Sequence, residues 1–156
     1  MLYIVSTPIG NLGDITLRAI ETLKRSELVL AEDTRTALKL FSRYGIRAPL
    51  QSYNEHNERK RIGEVLPLLA SGKDISLISE SGTPLISDPG YRLVRECVQN
   101  KIPVAPVPGA SAMVAALVVS GFPTDSFIFL GFPPKGEGKR ASMLRSLLTE
   151  RRTIIY

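Results

Sequence analysis

Leu2-Tyr3-Ile4-Val5-Ser6 and Leu28-Val29-Leu30-Ala31 are two short apolar runs, separated by the loop Thr7-Pro8-Ile9-Gly10-Asn11-Leu12-Gly13-Asp14 and by the segment from Ile15 to Arg25. In that segment Leu17, Ile20 and Leu23 recur at helical spacing, with Asp14 as the expected N-cap. A strand, a glycine-bearing loop, a helix and a second strand make a β-α-β unit, which sets the two strands parallel and lays the helix across one face.

The same alternation continues outward. Thr34 to Tyr44 reads as a second helix closed by Gly45, and Leu50 to Tyr53 as a short third strand. From Glu55 to Leu69 the residues Ile62, Val65, Leu66 and Leu69 form one apolar stripe, in a helix that Pro67 is expected to kink against the carbonyl of Gly63. Next come a strand at Ile75 to Ser79, a helix at Tyr91 to Asn100 and a strand at Val104 to Val107. A helix through Ser111 to Ser120 is apolar on nearly every side and is therefore predicted to be buried. The pattern predicts an α/β fold, a parallel sheet with helices on both faces, over residues 1–121. Phe122-Pro123-Thr124 reads as a hinge. Residues 122–156 then read as the start of a second α/β domain: strand Phe127 to Leu130, loop Pro133 to Lys139, helix Ala141 to Leu148 and strand Thr153 to Tyr156. The sequence stops inside that last strand, so the second domain is expected to be only begun.

Composition excludes several classes. With 44% hydrophobic and 22% charged residues the chain has the makings of a packed core and is not disordered. Its longest apolar run, Ala112 to Val119, is far shorter than the roughly 20 residues that cross a bilayer. The N-terminus enters a strand directly, without the basic flank and cleavage site of a signal peptide, and a cytoplasmic protein is expected. The single cysteine, Cys97, falls on the apolar face of a helical pattern and is expected to be a buried thiol. One histidine and one cysteine cannot assemble a zinc site, and no metal is expected. The net charge of +5 is uneven, because residues 132–152 hold six basic side chains against Glu137 and Glu150. A polyanion should meet that tract first, although a solvated surface accounts for it equally well.

Ligands of open parallel sheets bind outside the carboxyl ends of the strands, so chemistry is sought in the loops that follow them. The loop from Thr7 to Asp14 matches neither G-x-G-x-x-G nor G-x-x-x-x-G-K-[ST] and offers no lysine to a phosphate, which argues against nicotinamide and ATP. It serves as a ligand loop or as a plain tight turn. The loop Glu80-Ser81-Gly82-Thr83-Pro84-Leu85-Ile86-Ser87-Asp88-Pro89-Gly90 is longer than the usual 2 to 6 residues and carries two carboxylates. In Pro108-Gly109-Ala110-Ser111-Ala112, Ser111 opens a helix, as a cap or as part of a ligand site. Glu32-Asp33-Thr34-Arg35 ends the second strand, where it either faces the cleft or caps the next helix, and His56 is either an exposed helix start or a contact at the cleft rim.

These segments together resemble the tetrapyrrole-methylase superfamily of S-adenosylmethionine-dependent methyltransferases. Thr7-Pro8-Ile9-Gly10-Asn11-Leu12 with Asp14-Ile15-Thr16, Ala31-Glu32-Asp33-Thr34-Arg35, Glu55-His56-Asn57-Glu58, Gly82-Thr83-Pro84-Leu85-Ile86-Ser87-Asp88-Pro89-Gly90-Tyr91 and Ser120-Gly121-Phe122-Pro123-Thr124-Asp125 resemble its ribosomal RNA branch, the small-subunit methyltransferase I group. That resemblance implies methylation of the ribose 2′-hydroxyl of a cytidine in 16S ribosomal RNA, with the small ribosomal subunit as partner and a homodimer as the working form. It implies S-adenosylmethionine contacts at Ile9, Ser81, Gly82, Thr83, Ile86, Ser111 and Ala112, in a cleft between two domains. One departure is Glu80-Ser81 where the branch usually has Asp-Ala. No motif fixes the group that takes the hydroxyl proton, and the candidates are Asp33, His56 and Asp88. Two alternatives stand beside this expectation: a small-tetrapyrrole methylase, and a non-catalytic module that binds RNA or a nucleotide.

Overall fold

The computed structural model describes all 156 residues, which separate into two compact units, Met1–Ser111 and Ala112–Tyr156. The first unit contains strands β1 (Leu2–Val5), β2 (Leu28–Ala31), β3 (Leu50–Ser52), β4 (Ile75–Ile78) and β5 (Val104–Val107). Its helices are α1 (Leu17–Arg25), α2 (Thr34–Tyr44), α3 (Glu58–Ala70) and α4 (Tyr91–Gln99). All five strands pair in parallel, in the order β3-β2-β4-β1-β5. Every loop leaving a strand therefore emerges at one edge of the sheet, and the loops after the adjacent strands β4, β1 and β5 emerge side by side. Pro106 sits in β5, an edge strand, where a missing N–H costs the ladder least.

Helices cover both faces, as the alternating pattern predicts. One apolar layer gathers Val5, Leu23, Val29, Leu40 and Phe41, with α1 and α2 against one side of the sheet. The other gathers Leu2, Leu30, Val65, Leu77 and Leu93 beneath α3 and α4. Cys97 lies in this second layer as a buried free thiol, and burial pushes its ionisation up. Helix α2 keeps the predicted span, with Gly45 in the left-handed region at φ 61° as its C-cap.

Two helix starts differ from the expectation. Asp14 belongs to a short 3-10 turn, Leu12–Asp14, and the cap of α1 is Thr16, whose Oγ1 accepts the Ala19 N–H at 3.1 Å. Helix α3 begins at Glu58 rather than Glu55. The Asn54 carboxamide oxygen accepts the N–H groups of His56 and Asn57 and holds the chain in a turn first.

The second unit contains α5 (Ala112–Val119), β6 (Phe127–Phe129), α6 (Glu137–Ser146) and β7 (Thr153–Ile155), with β6 and β7 parallel. Helix α6 starts four residues before the expected Ala141 and takes in the end of the loop drawn from Pro133 to Lys139. The burial predicted for α5 is not found. Leu117 is its one buried residue, and Val114, Val118 and Val119 are exposed. A helix that is apolar all round needs cover on every side, and only the side bearing Leu117 has it.

Candidate functional site

Three loops of the first unit are fastened together at the carboxyl edge of the sheet. Thr7 and Gly82 form an antiparallel bridge, with the Thr7 N–H donating to the Gly82 carbonyl at 2.8 Å and the Gly82 N–H returning to the Thr7 carbonyl at 3.1 Å. The hydroxyls of Ser6 and Thr83 lie 2.9 Å apart, and Thr83 Oγ1 donates to the Ala110 carbonyl at 3.2 Å. This chain of bonds joins the loops after β1, β4 and β5. It brings Gly82 and Thr83 against Ala110, the neighbour of Ser111, with Ile9 against Gly82.

Two glycines make the close approach possible. Gly82 has φ 83°, and a Cβ there would lie 3.3 Å from Ile9 Cγ2. A Cβ on Gly90, at φ 132°, would come within 2.7 Å of Leu77 Cδ2, so the end of the long loop is pressed onto the core. Between them Leu85 and Ser87 hold positive φ values of 74° and 65°. Side chains with a Cβ rarely adopt that region, at a cost of about 1–3 kcal/mol each.

The other expected contact residues are more open. Ser81 and Ile86 are exposed, Ser111 is half-buried, and Ala112 is the exposed first residue of α5. A cleft of about 310 Å³ runs beside the first loop, with Ile9, Ser81, Leu12, Thr36 and Leu40 among its walls. The loops at 7–14, 80–90 and 108–112 contain no Lys or Arg.

Carboxylates gather at the same edge. Burial is the main cause that raises the Glu32 carboxyl above its ordinary range. The charges of Asp88, Glu80 and Glu55 add to it, against a hydrogen bond from the Glu80 backbone. Asp88 is also raised by burial and by Glu80, with a hydrogen bond from the Ser79 side chain acting against them. Asp88 shares a second cleft, of about 470 Å³, with Glu55 and Glu58.

Asp33 is differently placed. It caps α2 by accepting the Arg35 N–H at 2.7 Å, and it forms an ion pair with the Arg35 guanidinium, also at 2.7 Å. Those side-chain and backbone bonds hold its carboxyl down at about 2. His56 is exposed in the turn before α3 and lines neither cleft. Of the three sequence candidates, then, Asp88 alone lies among the clustered carboxylates. Glu32, directly after β2, lies among them as well, a position the sequence shows but no motif marks.

Residues 1–156 match the family of tetrapyrrole (corrin/porphyrin) methylases. The chain is 53% identical to the ribosomal RNA small subunit methyltransferase I of Thermotoga maritima, a match that covers 99% of this chain and 69% of that protein. It is 49% identical to the protein of that name from Mesorhizobium japonicum and 50% identical to the one from Micromonospora olivasterospora. Each of those matches covers 99% of this chain, which spans 53% and 50% of their lengths. Among solved structures, a uroporphyrin-III-C-methyltransferase from Thermus thermophilus superimposes with a TM-score of 0.60 at 22% identity, over 82% of this chain and 58% of that one. That likeness concerns the fold. The family match along the whole sequence and the identity shared with these relatives show that the chain belongs to the tetrapyrrole (corrin/porphyrin) methylase family.

Proposed function

We propose that this chain carries the cofactor and catalytic loops of an S-adenosylmethionine-dependent methyltransferase, whose target is the ribose 2′-hydroxyl of a cytidine in 16S RNA of the small ribosomal subunit. The observation that carries the reading is the fastening of three loops through Thr7, Gly82, Thr83 and Ala110, in a chain about half identical to enzymes named for ribosomal RNA methylation. The residues present suit the cofactor. Loops without Lys or Arg suit a nucleoside that lacks phosphates, and the carboxylates Glu32, Glu80 and Asp88 set a negative field that suits a sulfonium cation. Ile9, Ser81, Gly82, Thr83, Ile86, Ser111 and Ala112 would hold it, through backbone groups, hydroxyls and two apolar side chains.

Bound S-adenosylmethionine would supply a methyl group that is already activated, leaving the protein to align the ribose and take its proton. Asp88, with Glu32 beside it, is the acceptor. A carboxylate raised above its ordinary range is a better base than one held down at about 2, as Asp33 is. Asp33 instead fixes the start of α2. The enzyme is taken to act in the cytoplasm, in line with an N-terminus that enters a strand directly, and as a homodimer, as the family resemblance implies.

The test is methyl transfer from labelled S-adenosylmethionine to small ribosomal subunits that lack the modification. Label should appear in the ribose of a cytidine, in a phosphodiester that resists alkali. Label on a base, or transfer to a tetrapyrrole and none to RNA, would overturn the reading. Asp88→Asn and Glu32→Gln should each slow turnover by about 10² to 10⁴ while cofactor affinity stays level.

A further inference from the structure

Helices α3 and α4 pack side by side, and each begins where a loop returns from the carboxyl edge of the sheet, the edge that holds the fastened loops. Between them runs a groove of about 360 Å³ lined by Arg59, Ile62, Arg92, Arg95 and Glu96. Three guanidiniums thus share one groove with one carboxylate.

Only Arg92 has an ionic partner. Its Nε lies 3.4 Å from Glu58 Oε2, and Glu58 is itself buried and accepts the Tyr53 hydroxyl at 2.9 Å. Burial, and then the Glu58 carboxylate, push the Tyr53 phenol well up, so that hydroxyl keeps its proton and anchors the pair. Arg59 and Arg95 are exposed and make neither an ion pair nor a side-chain hydrogen bond. Elsewhere on α3, Lys60 and Arg61 both pair with Glu64. Arg92 also lines the cleft that contains Asp88, so the groove and the cleft of the candidate proton acceptor are neighbours that meet at this side chain.

We propose that this arginine groove holds the phosphodiester backbone of the substrate RNA and leads the strand toward the cleft of Asp88. The inference rests on the RNA reading given above and adds a surface to it, built from residues of the nearly neutral first unit rather than from the basic tract at residues 132–152. With Arg92 paired to Glu58, the unpaired Arg59 and Arg95 leave the groove positive, and a chain of phosphates can meet that charge at more than one point. Glu55, Glu58 and Asp88 at the far end repel phosphate, which keeps the backbone on the arginine side and leaves the sugar to face the carboxylates. Guanidiniums also suit phosphate by geometry, since their paired N–H groups match two of its oxygens.

The experiment measures binding of a single-stranded RNA oligonucleotide to the whole protein over a series of salt concentrations. It compares wild type with Arg59→Ala/Arg95→Ala and with Arg59→Lys/Arg95→Lys. Arg92 is left in place because it holds Glu58. For the alanine pair, the slope of log affinity against log salt should fall by about 1.4 in magnitude, about 0.7 for each lost phosphate contact. Binding of S-adenosylmethionine and the melting temperature should be unchanged, and the lysine pair should keep most of the slope. An alanine pair with the wild-type slope would overturn the groove and leave the RNA reading standing. An alanine pair that binds the oligonucleotide normally and loses only ribosomal subunits would also overturn it, in favour of an acidic protein surface. A wild-type protein whose RNA binding ignores salt would overturn both.

Discussion

Helices α2 and α5 are both short and both supply several apolar residues, yet they meet solvent in opposite ways. Helix α2 buries Ala37, Leu40 and Phe41 along one stripe and leaves Arg35, Lys39 and Arg43 outside. Helix α5, Ala112–Val119, has no polar side and buries Leu117 alone. The contrast extends to their units. The first hides two apolar layers on the two faces of its sheet, whereas the second shows Phe122, Phe132 and Leu148 to solvent, Phe132 at 84% of its full exposure. Apolar content therefore does not decide burial here. A stripe matched to one sheet face does, because such a face can cover about one side of a helix.

Paired truncations should break or sharpen this contrast most visibly. Leu30→Ala, at a fully buried site in β2, should cost about 2–5 kcal/mol in urea unfolding. Leu144→Ala on α6, where the leucine is partly exposed, should stay within about 0.5 kcal/mol. Equal losses at the two sites would show that the second unit is packed as tightly as the first.

Glycines offer the next largest effect. Gly90→Ala forces a methyl toward Leu77 at an unfavourable φ, and a loss of about 1–3 kcal/mol is expected in thermal unfolding. Gly136→Ala at the start of α6 meets open space, and it should shift the melting point barely at all. A mild Gly90→Ala would mean that the long loop is held less firmly than its contacts imply.

A smaller difference separates the helix starts. Thr16→Ala removes the side-chain cap of α1 and should cost about 1 kcal/mol, while the cap position of α6, Gly136, has no side-chain bond to lose. Amide exchange in the first turn of each helix measures this. Faster exchange should appear in α1 of the variant, rising toward the rate of α6.

The smallest effect is in pH. The Glu32 carboxyl is raised in the folded state, so its contribution is complete below the unfolded value of about 4.3 and is lost as pH rises through the folded one. Glu32→Gln should therefore match wild type in acid and become the more stable form toward neutrality. Asp33 and Glu150, each held near 2 by hydrogen bonds from a neighbouring arginine, act oppositely, and their contribution disappears as pH falls from about 4 to about 2. A Glu32→Gln difference that grows in acid would reverse the assignment.

Much of the first unit is legible in its sequence because period, cap and stop agree. The span of α2 follows from apolar spacing plus Gly45, and the parallel sheet follows from strand-helix alternation. The start of α1 is less legible, since Asp14 and Thr16 are both good caps two residues apart. The choice falls to Thr16 because Asn11, whose side chain accepts the Gly13 N–H, first winds Leu12–Asp14 into a 3-10 turn. For α5 the composition indicates a helix and is silent on what is available to cover it. At the site, motif resemblance selects Gly82 and Thr83, which do lie in the fastened loops. The difference between Glu32 and Asp33 depends on which of two adjacent carboxylates turns to cap a helix, and local sequence allows either.

The bridge between Thr7 and Gly82 joins residues 75 positions apart. At a synthesis rate of about 5–20 residues per second, the first loop therefore waits about 4–15 s for its partner to be made. During that interval β1 also lacks both of its neighbours in the sheet, β4 and β5. A growing chain thus displays its first loop early and acquires a site late, only after the centre of the sheet has closed. A fluorescent ligand that reports the fastened loops would accordingly report completion of the sheet, and arrest of translation before residue 82 should leave it dark.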